Sequence, residues 1–344
     1  MPITGFAKGV NLGGWISQYG EFNKQRFENF IQEDDLKRIS DWGFDHVRLP
    51  VDAPVLLQDD ENFVLREEGF KYIDRCLNWC QKNGLGLVLD LHKAPGYSFD
   101  TLDDNTLFSS KRMMSNFISL WKEIADRYQN EKNNLILELL NEVVDEKEEW
   151  NKLARKTINA IREIDKERKI IFGGPNNNAV TSLKDIELVE DDPNIIYTFH
   201  FYLPFMFTHQ KAGWTELTGK MDFDVNYPGV TPDLVDFLRD NSEERESFEK
   251  DAKLDFNKKL LKQKLEPARK FREENNCKLY CGEYGVIDTA PQKSRERWYQ
   301  DFTELMKELD IGRAVWSYKE MNFGLVDEAG NVVNKKIIET LVNR

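Results

Sequence analysis

The chain has 344 residues, of which 32% are charged, and its formal net charge at pH 7 is −13. This composition is typical of a globular protein, and the acidic balance argues against nucleic acid or an anionic membrane surface as a partner while fitting a neutral substrate. No apolar stretch approaches the roughly 20 residues of a membrane span, and no basic, apolar leader follows Met1. We therefore expect a cytoplasmic protein, or a secreted one whose signal has been removed.

The first half of the chain alternates apolar segments of strand length with segments at helical spacing. It opens at 9–15 with a strand that breaks into a Gly-rich turn lacking any phosphate-loop motif. The next predicted elements are helices at 34–42, 70–83 and 111–128 and strands at 46–51 and 85–92. A fourth strand starts at Leu135 as a run of Leu and Ile and ends in Asn141-Glu142. Such a run is typical of a parallel strand buried on both faces.

The second half continues this alternation. Predicted strands lie at 169–174, 194–202, 278–285 and 313–318, and predicted helices at 149–164, 294–309 and 335–342. Eight strands, each followed by helical sequence, predict an α/β fold of the (β/α)8 TIM barrel type, formed by residues 1–344 as one catalytic domain. A doubly wound open sheet is the alternative, but the first strand lacks the nucleotide-binding fingerprint of that fold.

The alternation of strands and helices is interrupted between Leu203 and about Leu265. It opens with aromatic residues and Met and later becomes a charged helical stretch, which continues as a regular helix to Asn275. Connections of this length are typically functional lids or insertions. We predict an inserted lid subdomain after the sixth strand, at about 203–265.

The four cysteines fall in two pairs, each spaced by four residues: Cys76 with Cys80, and Cys277 with Cys281. This spacing matches no familiar zinc pattern, and a domain of this size needs no disulfide for stability. Buried free thiols are the favoured interpretation, with a disulfide or a metal site as alternatives.

In a (β/α)8 barrel, polar residues at the carboxyl ends of the strands converge on one face. The residues at such positions are Arg48, His92, Asn141, Glu142, His200, Tyr202, Glu283 and Trp316. Glu142 and Glu283 each close a strand whose body is apolar or aromatic. Two such carboxyls suggest cleavage of a glycosidic bond, with one group protonated and the other ionised by unequal environments.

Other interpretations of these residues exist. Glu142 and Glu283 could belong to a structural ion-pair network with Arg48. A zinc ion could be held by the set His92, His200, Glu142 and Glu283, although no HxH or HExxH spacing supports it. A serine hydrolase is disfavoured because GxSxG is absent. The aromatic residues could be core, or stacking platforms for sugar rings: Tyr202, Phe205, Phe207, Trp214 and Trp316.

Several segments together resemble glycoside hydrolase family 5, most closely its clostridial endoglucanase C group. The Leu-Asn-Glu segment ends the fourth strand and Gly-Glu-Tyr-Gly lies in the seventh. The other matching segments are 11–15 (NLGGW), 47–50 (VRLP), 89–92 (LDLH), 94–97 (APGY), 200–202 (HFY) and 207–212 (FTHQKA). The resemblance covers essentially the whole chain.

The resemblance implies a retaining β-glycanase without a metal or organic cofactor. Glu142 matches the proton donor, which later acts as a base, and Glu283 matches the nucleophile. Asn141 matches a contact to the sugar 2-hydroxyl. The remaining matches are supports of the nucleophile and substrate at Arg48, His200 and Tyr202, and residues lining the cleavage subsite at His92 and Trp316.

The same resemblance implies that 203–265 is a subdomain over the cleft, which adds Trp214 to the candidate substrate-binding residues. Lys93 departs from the pattern, because many relatives carry a second histidine there. A cation at this position could alter hydrogen bonding at a glycone subsite or point away from it.

We therefore predict an endo-acting β-glucanase that cleaves β-1,4 bonds in cellulose-like chains or mixed-linkage β-glucan with retention. Retention requires the two carboxyls to lie roughly 5 Å apart. The partner is a β-glucan polysaccharide or oligosaccharide, and a monomer is expected. The alternatives are a preference for mannan, xyloglucan or β-1,3-glucan, a noncatalytic carbohydrate-binding barrel, and a metal-dependent barrel hydrolase.

Overall fold

The computed structural model describes residues 3–131, 134–144, 146–190, 192–241 and 255–343, apart from the side chain of Leu102. Eight parallel strands close into a barrel in which each strand pairs with its neighbours in chain order. The strands are β1 Lys8–Asn11, β2 His46–Asp52, β3 Gly86–Lys93, β4 Leu135–Glu138, β5 Ile170–Gly173, β6 Ile195–Phe201, β7 Lys278–Tyr284 and β8 Gly312–Val315. The predicted (β/α)8 barrel is confirmed, and closure of the sheet contradicts the open doubly wound alternative.

Helices connect the strands, and their apolar faces join the same buried core as the outward faces of the strands. They are Lys24–Asn29, Glu33–Trp42, Ala53–Leu56, Glu67–Lys82, Lys111–Arg127, Lys147–Ile164, Phe205–Thr208, Pro232–Asn241, Lys258–Lys264, Glu266–Asn275, Gln292–Glu308 and Lys335–Val342. Shorter 3-10 turns cover Leu102–Asp104, Val180–Asp185 and Thr218–Lys220. A small antiparallel hairpin, Leu57–Asp59 with Val64–Leu65, lies outside the barrel.

Inside the barrel, an apolar floor gives way to a polar upper layer. The floor is a separate buried cluster formed by Ile3, Phe6, Val88, Ile136, Ile171, Ile196, Tyr280 and Ala314. Alternate residues of a strand face the same side. Two positions beyond the floor, three strands carry polar residues, namely Asp90, Glu138 and Thr198, all of them buried. His92 and His200 follow two positions later, so polarity increases toward the carboxyl ends of the strands.

The structure corrects three details of the predicted elements. The fifth strand is followed by a 3-10 turn, Val180–Asp185, in place of a helix. Strand β2 extends to Asp52, beyond the predicted 46–51, and Pro50 keeps its place in the register opposite Asp90, because a proline removes only its own N–H from the ladder. Strand β4 ends at Glu138, although the backbone N–H groups of Leu139 and Asn141 still donate to carbonyls of the flanking strands.

The inserted segment is described over 203–241 and 255–265, and the rest of the prediction for 203–265 lies outside the described residues. Its two parts are joined by a pair of backbone hydrogen bonds, each 2.9 Å, between Gly229 and Phe256. Tyr227 donates to Asp301 Oδ2 at 2.9 Å, and Leu203 accepts from the Trp298 indole at 3.0 Å. These contacts attach the segment to the helix Gln292–Glu308.

All four cysteines are free thiols, as the sequence predicts, and Cys277 is the one that is only partly buried. Burial raises the pKa of Cys277 to about 11, which keeps that thiol protonated near neutral pH. Across the described parts of the chain, no helix combines the length and apolar character needed to cross a bilayer.

Candidate active site

Arg48 lies fully buried at the centre of the polar layer and joins three strands through charged hydrogen bonds. Its Nε and Nη2 donate to the two oxygens of Glu138 at 2.7 and 3.1 Å. Its Nη1 donates to Glu283 Oε1 at 2.7 Å, and its Nη2 donates to Asn141 Oδ1 at 2.9 Å. A bidentate contact on one side fixes the guanidinium plane, so the contact to Glu283 has a defined direction.

The acids around Arg48 outnumber its single positive charge. Asp90 Oδ2 also lies 3.1 Å from Arg48 Nη2. Burial lowers the pKa of Arg48, but the negative charges of Asp90, Glu138 and Glu283 outweigh this effect and raise it well above the ordinary value. Burial also raises the pKa of Asp90 to about 7, against the opposing effect of Arg48. Asp90 can therefore hold a proton near neutral pH, which limits the excess negative charge in the layer.

Glu283 is held at both oxygens. Oε1 accepts from Arg48, and Oε2 accepts from the Tyr202 hydroxyl at 2.9 Å. Two donors on a carboxylate fix its orientation. The side chain is 6% exposed, and this exposure faces the cavity described below. The arrangement suits a carboxylate that attacks an electrophilic carbon.

Glu142 has a different environment. Its Oε1 lies 2.8 Å from His200 Nδ1. Burial raises the pKa of this carboxyl to about 7, although the charge of Arg48 and a hydrogen bond from Asn177 both lower it. Burial lowers the pKa of His200 to about 4, so the ring is neutral near pH 7. Glu142 itself has a left-handed backbone with φ of 45°, an uncommon conformation for a residue with a side chain. This carboxyl can hold a proton at neutral pH.

The two carboxyls lie close to each other. One oxygen of Glu142, one oxygen of Glu283 and a ring nitrogen of His200 all lie within 4.8 Å of one another. Of the four residues considered for zinc, His92 lies outside this group, and its Nδ1 lies 2.7 Å from Asp90 Oδ2. The Arg48 guanidinium already supplies positive charge beside Glu283, which disfavours a divalent cation at the same place.

His92 and Trp316 form an aromatic wall beside the pair of carboxyls. Their rings stack in parallel, with centroids 5.7 Å apart and an interplanar angle of 4°. Burial lowers the pKa of His92 to about 3, and its Nε2 has no partner among the described residues. Gly13 packs under Trp316 so closely that a Cβ there would lie 2.7 Å from the indole ring. The wall therefore offers an apolar face and one free nitrogen to a ligand.

Two cavities lie over the strand ends, and their linings share Glu142, Tyr202 and His209. The first cavity, of about 660 Å³, is lined by Gln18, His92, Phe99, Asp100, Asn141, Glu142, Tyr202, His209, Trp214, Glu283, Trp316, Met321, Asn322 and Phe323. The second cavity, of about 700 Å³, is lined by Glu142, Asn177, Ala179, Val180, Thr181, His200, Tyr202, Leu203, Pro204, Phe205, Met206, His209, Phe256, Gln263, Lys264 and Pro267. Glu142 therefore stands between two spaces that could each hold part of one ligand.

The inserted segment contributes to both cavities. Trp214 is 55% exposed in the first cavity, where its ring lies 6.3 Å from the rings of His209 and Phe323. Phe205 stacks on His209 at 4.5 Å and lines the second cavity, whereas Phe207 is fully buried and belongs to the core. An exposed indole at the mouth of a cleft can stack on the C–H face of a sugar.

The structure brings together all nine predicted site residues at one end of the barrel. It adds partners that the sequence reasoning missed. Glu138 lies within the apolar run of β4 and was not among the predicted site residues. A carboxylate inside such a run is itself a signal of a buried partner, because burying a charge without a partner is costly. Asn177 belongs to three consecutive asparagines with φ between 52 and 58°. Asparagine tolerates that conformation, so the triplet could have indicated a special turn.

Comparisons with known proteins agree with this geometry. The family model described as "Cellulase (glycosyl hydrolase family 5)" matches residues 7–322. The chain is 45% identical to Endoglucanase C of Acetivibrio thermocellus over 343 residues, and this match covers 99% of each chain. It is 36% identical to Cellodextrinase A of Ruminococcus flavefaciens over 316 residues, and this match covers 91% of this chain and 85% of the relative. Among solved structures, endoglucanase Cel5A of Thermotoga maritima superposes with a TM-score of 0.80 at 26% identity, covering 98% of each chain. A second structure of Cel5A, with cellobiose, gives 0.80 at 25% identity over 98% of each chain.

Proposed function

Because the chain belongs to the cellulase family, glycosyl hydrolase family 5, we propose that it is a retaining endo-β-glucanase acting on β-1,4 bonds of cellulose-like chains and mixed-linkage β-glucan. The observation that supports this most directly is the pair Glu142 and Glu283, with oxygens within 4.8 Å of each other in unequal environments. Carboxyls about 5 Å apart suit a double displacement, whereas inversion needs room for a water between them.

In the first step, Glu283 attacks the anomeric carbon and forms a covalent ester with the sugar. The bond from that carbon to the bridging oxygen breaks, and Glu142 gives its proton to the departing oxygen. Arg48 and Tyr202 hold the attacking carboxylate in a fixed orientation until the bond forms. The raised pKa of Glu142 supplies the proton at neutral pH.

In the second step, Glu142 is ionised and takes a proton from a water molecule. The resulting hydroxyl attacks the anomeric carbon, the ester bond breaks, and Glu283 leaves as a carboxylate. The departure of the first product opens space for this water beside Glu142. Two displacements at one carbon leave its configuration unchanged.

An endo-acting enzyme must bind sugars on both sides of the cleaved bond. Glu142 acts on the leaving group, so the second cavity corresponds to the leaving-group side and the first cavity, which contains Glu283, His92 and Trp316, to the glycone side. Asn141 and the unpartnered His92 Nε2 are then placed to bind hydroxyls of the sugar that reacts. The inserted segment, through Trp214, acts as a lid over this cleft.

The substrate class is tested by reducing-sugar release from barley mixed-linkage glucan, carboxymethyl cellulose, laminarin and mannan, each with and without EDTA. We expect strong release from the first two substrates and little from the others. EDTA should have no effect, because both catalytic roles are filled by carboxyls. A preference for mannan or laminarin would change the substrate, EDTA-sensitive activity would favour a metal-dependent hydrolase, and binding without turnover would indicate a noncatalytic barrel.

The pH dependence follows from the proton on Glu142. Its pKa is raised to about 7, so the acid form needed in the first step is lost as the pH rises above that value. We expect kcat/KM on cello-oligosaccharides to fall about tenfold per pH unit above pH 7. A profile that stays flat to pH 9 would contradict the role of Glu142 as the acid.

A further inference from the structure

The loop after β3 brings a third carboxylate to the first cavity. Among the described residues lining that cavity, Asp100 is the only one with a charged side chain besides Glu142 and Glu283. Its Oδ2 lies 2.6 Å from Lys93 Nζ, and its side chain is 43% exposed. Its Oδ1 has no partner among the residues that the structure describes, and neither oxygen is needed for the two-carboxyl mechanism.

Lys93 holds this carboxylate from the end of β3. Its side chain is 24% exposed, and its Nζ lies 5.7 Å from the centroid of the Phe99 ring. Phe99 in turn contacts His92 edge to face, with centroids 5.0 Å apart. In the strand register Lys93 lies opposite Asp52, whose pKa burial raises to about 7. The loop is therefore fixed to the barrel by an ion pair and by aromatic contacts at successive positions.

The tip of the loop is fixed from the other side as well. The Tyr97 hydroxyl donates to the Glu142 carbonyl oxygen and accepts from the Val144 N–H, both at 2.9 Å. The Ser98 backbone N–H donates to Asn105 Oδ1 at 2.7 Å, and Asn105 Nδ2 donates to the Ser98 carbonyl oxygen at 3.0 Å. Asp100 is thus carried by a loop attached to β3 and to the end of β4, so its position relative to Glu142 is defined.

We propose that Asp100, positioned by Lys93, determines specificity by accepting hydrogen bonds from hydroxyls of the second sugar on the nonreducing side of the cleaved bond. The proposal rests on the function proposed above, which places the first sugar between Glu283 and the wall formed by His92 and Trp316. Asp100 lies past His92, next to Phe99. The carboxylate oxygen that Lys93 leaves free can accept from a sugar hydroxyl, so the residue selects a unit that presents a free hydroxyl at this place.

The test compares two substrates that differ only by this sugar, 2,4-dinitrophenyl β-glucoside and β-cellobioside. The measured quantity is the ratio of kcat/KM for the cellobioside to kcat/KM for the glucoside. We expect Asp100→Ala to lower this ratio by about 10- to 100-fold, because hydrogen bonds to a charged group are lost. Lys93→Met, which keeps an aliphatic stem, should lower this ratio about 3- to 10-fold, and Lys93→Arg should restore part of it. Asp100→Asn should fall between the wild type and Asp100→Ala.

The matched control is Lys147→Met, which breaks another Lys–Asp pair, with Nζ 2.8 Å from Asp185 Oδ1, and neither residue of this pair lines either cavity. Its ratio should equal that of the wild type. Equal losses on both substrates in Asp100→Ala, or no loss on either, would overturn the proposal. If the wild type hydrolyses neither substrate, the proposed function fails, and calorimetry of cellotriose binding to the wild type and Asp100→Ala still decides whether Asp100 binds sugar.

Discussion

Glu283→Gln is expected to lower kcat on carboxymethyl cellulose by at least ~10³-fold, because an amide cannot form the covalent bond to the anomeric carbon. The amide oxygen can still accept from Arg48, so the contact between this side chain and the guanidinium is kept. The substitution also removes one of several acids crowded around a single guanidinium, so we do not expect the fold to be lost. Initial rates and thermal melting, measured on the same preparation, separate these two effects.

Two further measurements identify the role of Glu283. The wild type should release products that initially have the β configuration at the new reducing end, as proton NMR of a fresh digest would show. A 2-deoxy-2-fluoro-β-cellobiosyl fluoride should label Glu283, because the fluorine at C2 slows both steps while the anomeric fluoride, a good leaving group, keeps formation of the ester faster than its hydrolysis. A label on another residue, or an α product, would exclude double displacement at this carboxylate.

The control for the amide substitution is Glu163→Gln. Glu163 lies on the helix Lys147–Ile164, is 70% exposed and pairs only weakly with Lys122 at 3.4 Å. This variant should keep wild-type activity and stability, since exposed ion pairs contribute little. Substantial activity in Glu283→Gln, beside a normal control, would contradict the assignment of the nucleophile.

The strands and the two catalytic candidates could be predicted because their signals are local. A parallel strand buried on both faces is apolar along its length, so Glu142 and Glu283 at the strand ends are conspicuous. The order of the elements then determines that these ends meet on one face of a closed barrel. For this reason the sequence alone places Arg48, His92, His200 and Trp316 at the site.

Other parts of the site depend on contacts between distant segments. Glu138 meets Arg48 across 90 positions, and no local pattern contains that pairing. The 3-10 turn after β5 lacks the apolar periodicity that marks a helix, so the regular alternation predicted one there. The direction of the Lys93 side chain was open as well, because it depends on Asp100, which lies on a loop whose path is set by packing.

Glu142→Ala is expected to lower activity on carboxymethyl cellulose by at least ~10³-fold, but to affect substrates with good leaving groups differently. With 2,4-dinitrophenyl β-cellobioside the first step needs no proton from Glu142, since dinitrophenolate leaves unaided. The second step still needs a base, so the glycosyl-enzyme should accumulate. Stopped-flow absorbance should therefore show a burst of about one dinitrophenolate per enzyme, followed by slow turnover.

Sodium azide makes this prediction specific to Glu142. Azide attacks the anomeric carbon without giving up a proton, so it should raise the slow rate in Glu142→Ala and yield β-cellobiosyl azide, while Glu283→Ala should yield the α product, if any. The fall in kcat/KM above pH 7 expected on cello-oligosaccharides should be absent with this substrate, because its first step needs no proton. A Glu142→Ala variant without a burst and without azide rescue would assign the acid and base roles to a different group. The neighbour to examine then would be His200, whose Nδ1 lies 2.8 Å from Glu142.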